Sequence, residues 1–139
     1  MTKVDFHVIR EPARIAAPML VCRLVQEHHR AGRNLYIRAA NGKQASALDD
    51  LLWTFDQGSF IPHHRAGNEQ TPAPVVIGEN LPENAPEILV NLAPGIPENC
   101  QRFPWIVEVV DPAPKETQAA RERYRRYREM QCEISTQDV

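Results

Sequence analysis

Apolar residues recur along this chain with two periods, and the switches between them mark out its elements. Val4 to Ile9 (VDFHVI) is dense in β-branched and aromatic residues and predicts a strand, closed by a Pro-containing turn. In Ala17 to Arg30 the period lengthens: Ala17, Leu20, Val21, Leu24, Val25 and His28 fall on one helical face. Pro18 suits the first turn of that helix and Gly32 its stop. Asn34 to Ala39 predicts a second strand, and Asn41 with Gln44 resembles a capping box opening a second helix. With Leu48 as origin at 100° per residue, Ala45, Leu51, Leu52 and Phe55 lie within about 60° of it, whereas Trp53 lies about 140° away. Trp53 therefore points off the core stripe.

Further on, Val75 to Ile77, Glu87 to Leu92 and Trp105 to Val110 predict three more strands. Thr71 to Pro74 and Pro94 to Pro97 read as connectors, as does the loop holding Pro82 and Pro86. A final helix runs through Arg121 to Arg128. Strands alternating with helices predict an α/β domain: a Rossmann-like, three-layer arrangement with a mainly parallel central sheet and helices on both faces. Val75 to Leu92 is also compatible with a hairpin on one edge. One domain is expected over residues 1–132, with 133–139 as a frayed tail.

With 139 residues, 42% hydrophobic and 24% charged, the chain has the composition of a single globular domain. Its apolar runs are too short to cross a bilayer, and MTKVDFHVIR lacks the apolar stretch of a secretory signal. A cytoplasmic protein is expected. Cys22, Cys100 and Cys132 give neither a disulfide framework nor a C-x-x-C zinc pattern, and Cys22 reads as a small buried hydrophobe.

A Rossmann-like order invites a phosphate loop, yet REPARIAAP after the first strand has no glycine, and no G-x-x-x-x-G-K-[ST] occurs. Only Ser46, Ser59 and Ser135 are serines, and none stands in a nucleophile elbow. His28 and His29 diverge by about 100° on a helix, too far to share a metal readily. They read as a helix C-terminus that favours positive charge. His63 and His64 read as surface residues of a loop after Pro62. No catalytic residue, cofactor or metal site is expected.

What remains is charge. Arg121 to Arg128 (RERYRRYR) holds five Arg and one Glu, +4, in a chain of net charge -2, so the rest sums to -6. A cationic aromatic patch on an acidic body predicts a negatively charged partner. With Tyr124 as origin, Ala120 and Tyr127 lie near -40° and -60°, and Arg128, Arg121 and Arg125 near 40°, 60° and 100°. An aromatic stripe beside an arginine ridge can take an apolar side chain and carboxylates together. Arg123 and Arg126 face elsewhere, and Glu122 can pair with Arg126. Equally, the helix face is simply solvated, with its tyrosines packed on the sheet. Direct binding to phosphates is opposed by the acidic body. The other surface is Trp53 with Phe60, Ile61 and Pro62. It is either an interface anchor or, if Phe60 belongs to a strand, part of the core.

At these residues the chain resembles the chi subunit family of the bacterial DNA polymerase III holoenzyme. The resemblance rests on FHVI, KQA, LDDLLWTFDQGSFIPHHRAG, EILVNL, EVVD and ARERYRRYR. It implies a Rossmann-like domain without catalysis of its own that joins two partners in DNA replication. One is the psi subunit, which ties chi to the clamp loader; Trp53, Phe60 and Pro62 correspond to that surface. The other is the acidic C-terminal tail of single-stranded DNA-binding protein (SSB), ending in phenylalanine after aspartates; Arg121, Tyr124, Arg125, Arg128 and Ala113 correspond to that site. DNA is then met only indirectly. Ala113 stands where the family pattern has a larger aliphatic residue, and Arg125 where it often has lysine. A DinG-type helicase is a possible competitor for the psi-facing surface. The alternatives are a degenerate nucleotide-binding enzyme and a direct single-strand binder.

Overall fold

The computed structural model describes residues 1–67 and 73–139. Among these, strand β1 (Lys3–Val8) is followed by helix α1 (Ala17–Arg30), β2 (Leu35–Arg38), α2 (Gly42–Thr54), β3 (His63–Arg65), β4 (Val75–Gly78) and β5 (Ile88–Asn91). A short 3-10 turn (Cys100–Arg102), β6 (Trp105–Val110), α3 (Pro114–Glu129) and β7 (Glu133–Asp138) complete it. The seven strands form one sheet in the order β3-β4-β2-β5-β6-β1-β7, and every pairing is parallel.

Local chemistry explains most boundaries. In α1 the apolar stripe Leu20, Val21, Leu24, Val25 and His28 is buried, Pro18 occupies the first turn, and Gly32 takes φ of 80° beyond the end. In α2 the Asn41 side chain accepts from Gln44 N at 2.8 Å, while Gln44 Oε1 accepts from Ala40 N at 2.7 Å. The reciprocal cap is thus present, shifted by one residue on its return arm.

Alternation along the strands divides the core into two layers. Leu35, Ile37, Ile88, Val90 and Val107 face α1 and α2, with Ala45, Leu48 and Leu52 packed among them. Val4, Phe6, Tyr36, Leu89, Ile106 and Val110 face α3 through Ala120 and Tyr127. Each fully buried large side chain contributes about 1.5–3 kcal/mol, so both layers matter.

The structure departs from the sequence reading in four places. The sheet is wholly parallel, and Val75–Leu92 is no hairpin: β4 and β5 flank β2 on opposite sides. Residues 133–138 are not frayed but form β7 along the whole of β1. EISTQD gives little apolar signal, since Ile134 is its one apolar side chain; backbone pairing with β1, the packing of Ile134, and the ties of Ser135 to Asp5 and Arg10 to Asp138 hold it. Third, His63 and His64 lie in strand β3 rather than a loop, with His63 buried. Of the connector expected at 71–74, Thr71 and Pro72 lie outside the described residues.

The fourth departure concerns the end of α1. His28 is buried edge-on against Trp105, with ring centroids 4.9 Å apart. Its Nδ1 accepts from Arg33 Nη1 at 3.1 Å. Burial first, then the Arg33 charge, lowers its pKa, so the neutral ring is favoured over the expected cation.

Candidate functional site

Helix α3 starts where Pro114 follows Ala113, whose carbonyl accepts from Thr117 Oγ1 at 3.1 Å. At 100° per residue, Ala113, Thr117, Arg121, Tyr124 and Arg128 follow one another along one flank, within about 80°. Tyr124 is 38% exposed and rests on Phe6 of β1, with centroids 5.6 Å apart. Tyr127, its expected companion in the stripe, is fully buried edge-on against Phe6 at 5.9 Å. The aromatic stripe is therefore split between core and surface.

The arginines divide as well. Arg121, Arg125, Arg126 and Arg128 are exposed. Arg125 is held between acids, its Nε donating to Glu122 Oε2 at 3.3 Å and its Nη1 to Glu129 Oε1 at 3.3 Å. The bond to Arg125 holds the Glu122 carboxyl below the usual range. The expected Glu122–Arg126 pair is thus replaced by an i,i+3 pair, and Arg126 approaches Glu129 at 3.9 Å. Among the described residues Arg121 and Arg128 have no ion-pair partner, so their guanidinium groups are available to an incoming acid.

Arg123 turns the other way, into a buried network on the central strands. Its Nε donates to Glu108 Oε1 at 2.9 Å and its Nη1 to Pro94 O at 3.4 Å. Tyr127 Oη donates to Glu108 Oε2 at 2.6 Å, and Asn91 Nδ2 to the same oxygen at 2.8 Å. Arg38, Asn91 and Glu108 are cross-strand neighbours on β2, β5 and β6, and Arg38 Nη1 reaches Asn91 Oδ1 at 3.4 Å. Burial pushes the Glu108 carboxyl up; the Arg123 charge and the bonds from Asn91 and Tyr127 pull it back. Burial also raises Tyr127, which keeps its donor proton. Sequence reading missed Glu108. The signal was present, because a lone acid inside WIVEVV on a central strand must be paired when buried.

The second surface lies at the opposite end of the strand order. Trp53 on α2 is 46% exposed and Phe60 71%, their rings 5.6 Å apart. Phe60 is therefore not a core residue. Trp53 also covers His63 of the edge strand β3 at 4.0 Å. The His63 ring is fixed, with Nδ1 2.6 Å from Ile61 O and Nε2 3.0 Å from Asp49 O. Asp56 shapes the intervening turn, accepting from Gly58 N at 3.0 Å and from Gln26 of α1 at 2.9 Å. Pro62 is half-buried beside this aromatic pair.

At the C-terminal ends of the central strands, a cavity of about 830 Å³ is lined by Pro18, Gln44, Leu51, Asn91, Val109 and Lys115 among others. Open α/β sheets place ligands here. Among the described residues no group of three His, Cys, Asp or Glu side chains converges as metal ligands, and no helix is long and apolar enough to cross a membrane.

Residues 1–135 match the sequence model of a family described as "DNA polymerase III chi subunit, HolC". Among curated proteins, the chain is 38% identical to the DNA polymerase III subunit chi of Pseudomonas aeruginosa, covering 93% of this chain and 91% of that protein. It is 29% identical to that of Haemophilus influenzae, over 97% and 96% of the two chains. It is 34% identical to that of Escherichia coli K12, over 81% and 79%.

Proposed function

The chain belongs to the DNA polymerase III chi subunit family, and from that premise we propose that it is a non-catalytic adaptor joining two proteins through two separate surfaces. Family membership places it in the polymerase complex that replicates DNA. The finer reading is that Trp53, Phe60 and Pro62 meet the psi subunit, and through it the clamp loader. Arg121, Tyr124 and Arg128, with Ala113 and Arg125 at the margin, hold the acidic tail of SSB.

One observation carries this reading: the exposed Trp53–Phe60 pair and Arg121 and Arg128, which have no ion-pair partner among the described residues, belong to opposite ends of the sheet. A bridge needs two sites that can be occupied together. The chemistry of each also fits. Clustered exposed aromatics suit a protein anchor, whereas two free guanidinium groups beside a half-exposed tyrosine suit carboxylates next to an apolar side chain. Arg125 is the weaker contributor, because an incoming acid must displace Glu122 or Glu129 from it.

Calorimetric titration with a peptide ending in Asp-Asp-Asp-Ile-Pro-Phe tests the tail site. Arg121→Ala is expected to weaken binding by about 1.5–3 kcal/mol, as for a hydrogen bond to a charged group, and binding should weaken with salt. Equal affinity of variant and parent would remove Arg121 from the site. Co-purification with psi is expected to fail for Phe60→Ala while peptide binding persists. Loss of both together would point to one shared surface instead.

A further inference from the structure

β7 closes one end of the sheet and, among the described residues, pairs as a strand with β1 alone. Its ladder opens with Glu133 N donating to Thr2 O at 2.8 Å and ends with Val139 N donating to Val8 O at 2.9 Å. In such a ladder, successive residues direct their backbone groups to opposite sides of the strand. Glu133, Ser135 and Gln137 therefore serve β1, and the N–H and C=O groups of Ile134, Thr136 and Asp138 face outward. Among the described residues no strand covers them.

An open edge of six residues is a ready template for another chain, and proteins usually blunt it with Lys, Pro, a bulge or a covering element. EISTQD has neither Pro nor Lys, and its register against β1 runs without a bulge. Its outward acid, Asp138, is neutralised by Arg10 at 2.9 Å. Ile134 and, by alternation, Thr136 present their side chains on the α3 side, where Ile134 packs against the Phe6 and Tyr127 cluster.

The flank of α3 above this edge is the one with free charge. Arg123 reaches inward to Glu108 on β6, whereas Tyr124 sits on Phe6 of β1, the strand next to β7. The Arg121, Tyr124, Arg128 flank is thus turned towards the open edge. Seven residues of helix separate Arg121 from Arg128, about 10 Å along the axis, which an extended chain spans in about three residues.

We infer that β7 is a docking edge on which an extended acidic peptide adds as a further strand, bonded to Ile134, Thr136 and Asp138 while its carboxylates meet Arg121 and Arg128. This rests on the proposal that an acidic tail binds α3, and it adds a backbone half to that site. A second copy of this chain suits the edge poorly, since it would bring two arginine ridges together. Backbone pairing supplies sequence-tolerant affinity, and the arginines select an acidic strand.

Amide hydrogen exchange on the full-length chain, followed by NMR with and without the Asp-Asp-Asp-Ile-Pro-Phe peptide, tests the assignment. The amides of Ile134, Thr136 and Asp138 are expected to slow by ~tenfold or more on saturation, with those of Ser135 and Gln137 unchanged because β1 already protects them. Thr136→Pro removes one outward donor without touching the β1 ladder and is expected to weaken the peptide by about tenfold. If the peptide binds in an Arg121-dependent way and the three amides do not slow, edge addition is overturned and the tail site on α3 stands. If the peptide does not bind, both readings fall. Protection of the same amides that grows with protein concentration, without peptide, would assign the edge to self-association and overturn the inference.

Discussion

Arg121 and Arg123 are two residues apart on one helix and work in different media. Arg123 is 8% exposed and bonded to a fully buried carboxylate; Arg121 is in water with no acidic partner among the described residues. The same contrast divides Tyr127, buried and bonded to Glu108, from Tyr124, 38% exposed on Phe6. One flank of α3 fastens the helix to the sheet and the other is exposed. A charge count over the octet gives +4, but Arg123 is neutralised by Glu108, and Arg125 and Arg126 lie beside Glu122 and Glu129. The cationic charge free for a ligand is therefore concentrated at Arg121 and Arg128.

Substitution on the two flanks should separate folding from binding. The largest effect is expected from Arg123→Ala, which leaves Glu108 buried without its cation. A loss of about 3–5 kcal/mol in urea denaturation is expected, and a change below about 1 kcal/mol would mean that Glu108 is not charged in the folded state. Tyr127→Phe deletes one donor to the same carboxylate and keeps the ring; about 1.5–3 kcal/mol should be lost, with peptide affinity unaltered in the folded fraction. Arg125→Ala sits at the small end, because exposed pairs with Glu122 and Glu129 contribute little. Its thermal midpoint is expected to match that of the parent within error, and its peptide affinity to fall less than that of Arg121→Ala.

Protons sharpen the contrast further. Burial lowers the pKa of both His7 and His28 from 6.5. Below 6.5 the unfolded chain then binds more protons than the folded one, so stability should fall as pH drops through that region. His28→Gln should reduce that slope in denaturation curves measured near pH 7.5 and 5.5.

Much of the scaffold was legible because apolar period and burial coincide. Trp105–Val110 was bounded correctly by its β-branched run, and Asn41 with Gln44 marked the start of α2. Trp53 was placed off the core by phase alone. β3 and β7 were not legible: His63–Arg65 and EISTQD carry few apolar side chains, and they are strands because parallel neighbours supply their backbone partners. The imidazole of His28 was misjudged for a related reason, since a helix end favours a cation only where water reaches it.

The sequence by itself determined the alternation of strands and helices, the absence of a glycine phosphate loop, and an octet with too much charge to be buried whole. Periodicity and composition are local properties, and they decide such matters. Only the tertiary structure decided which arginines are free. That choice depends on Glu108 arriving beneath α3 from a strand fifteen residues earlier in the chain and on Glu122 and Glu129 flanking Arg125. Pairing across space sets the dielectric and the partner of each charge, and no period along the chain encodes it.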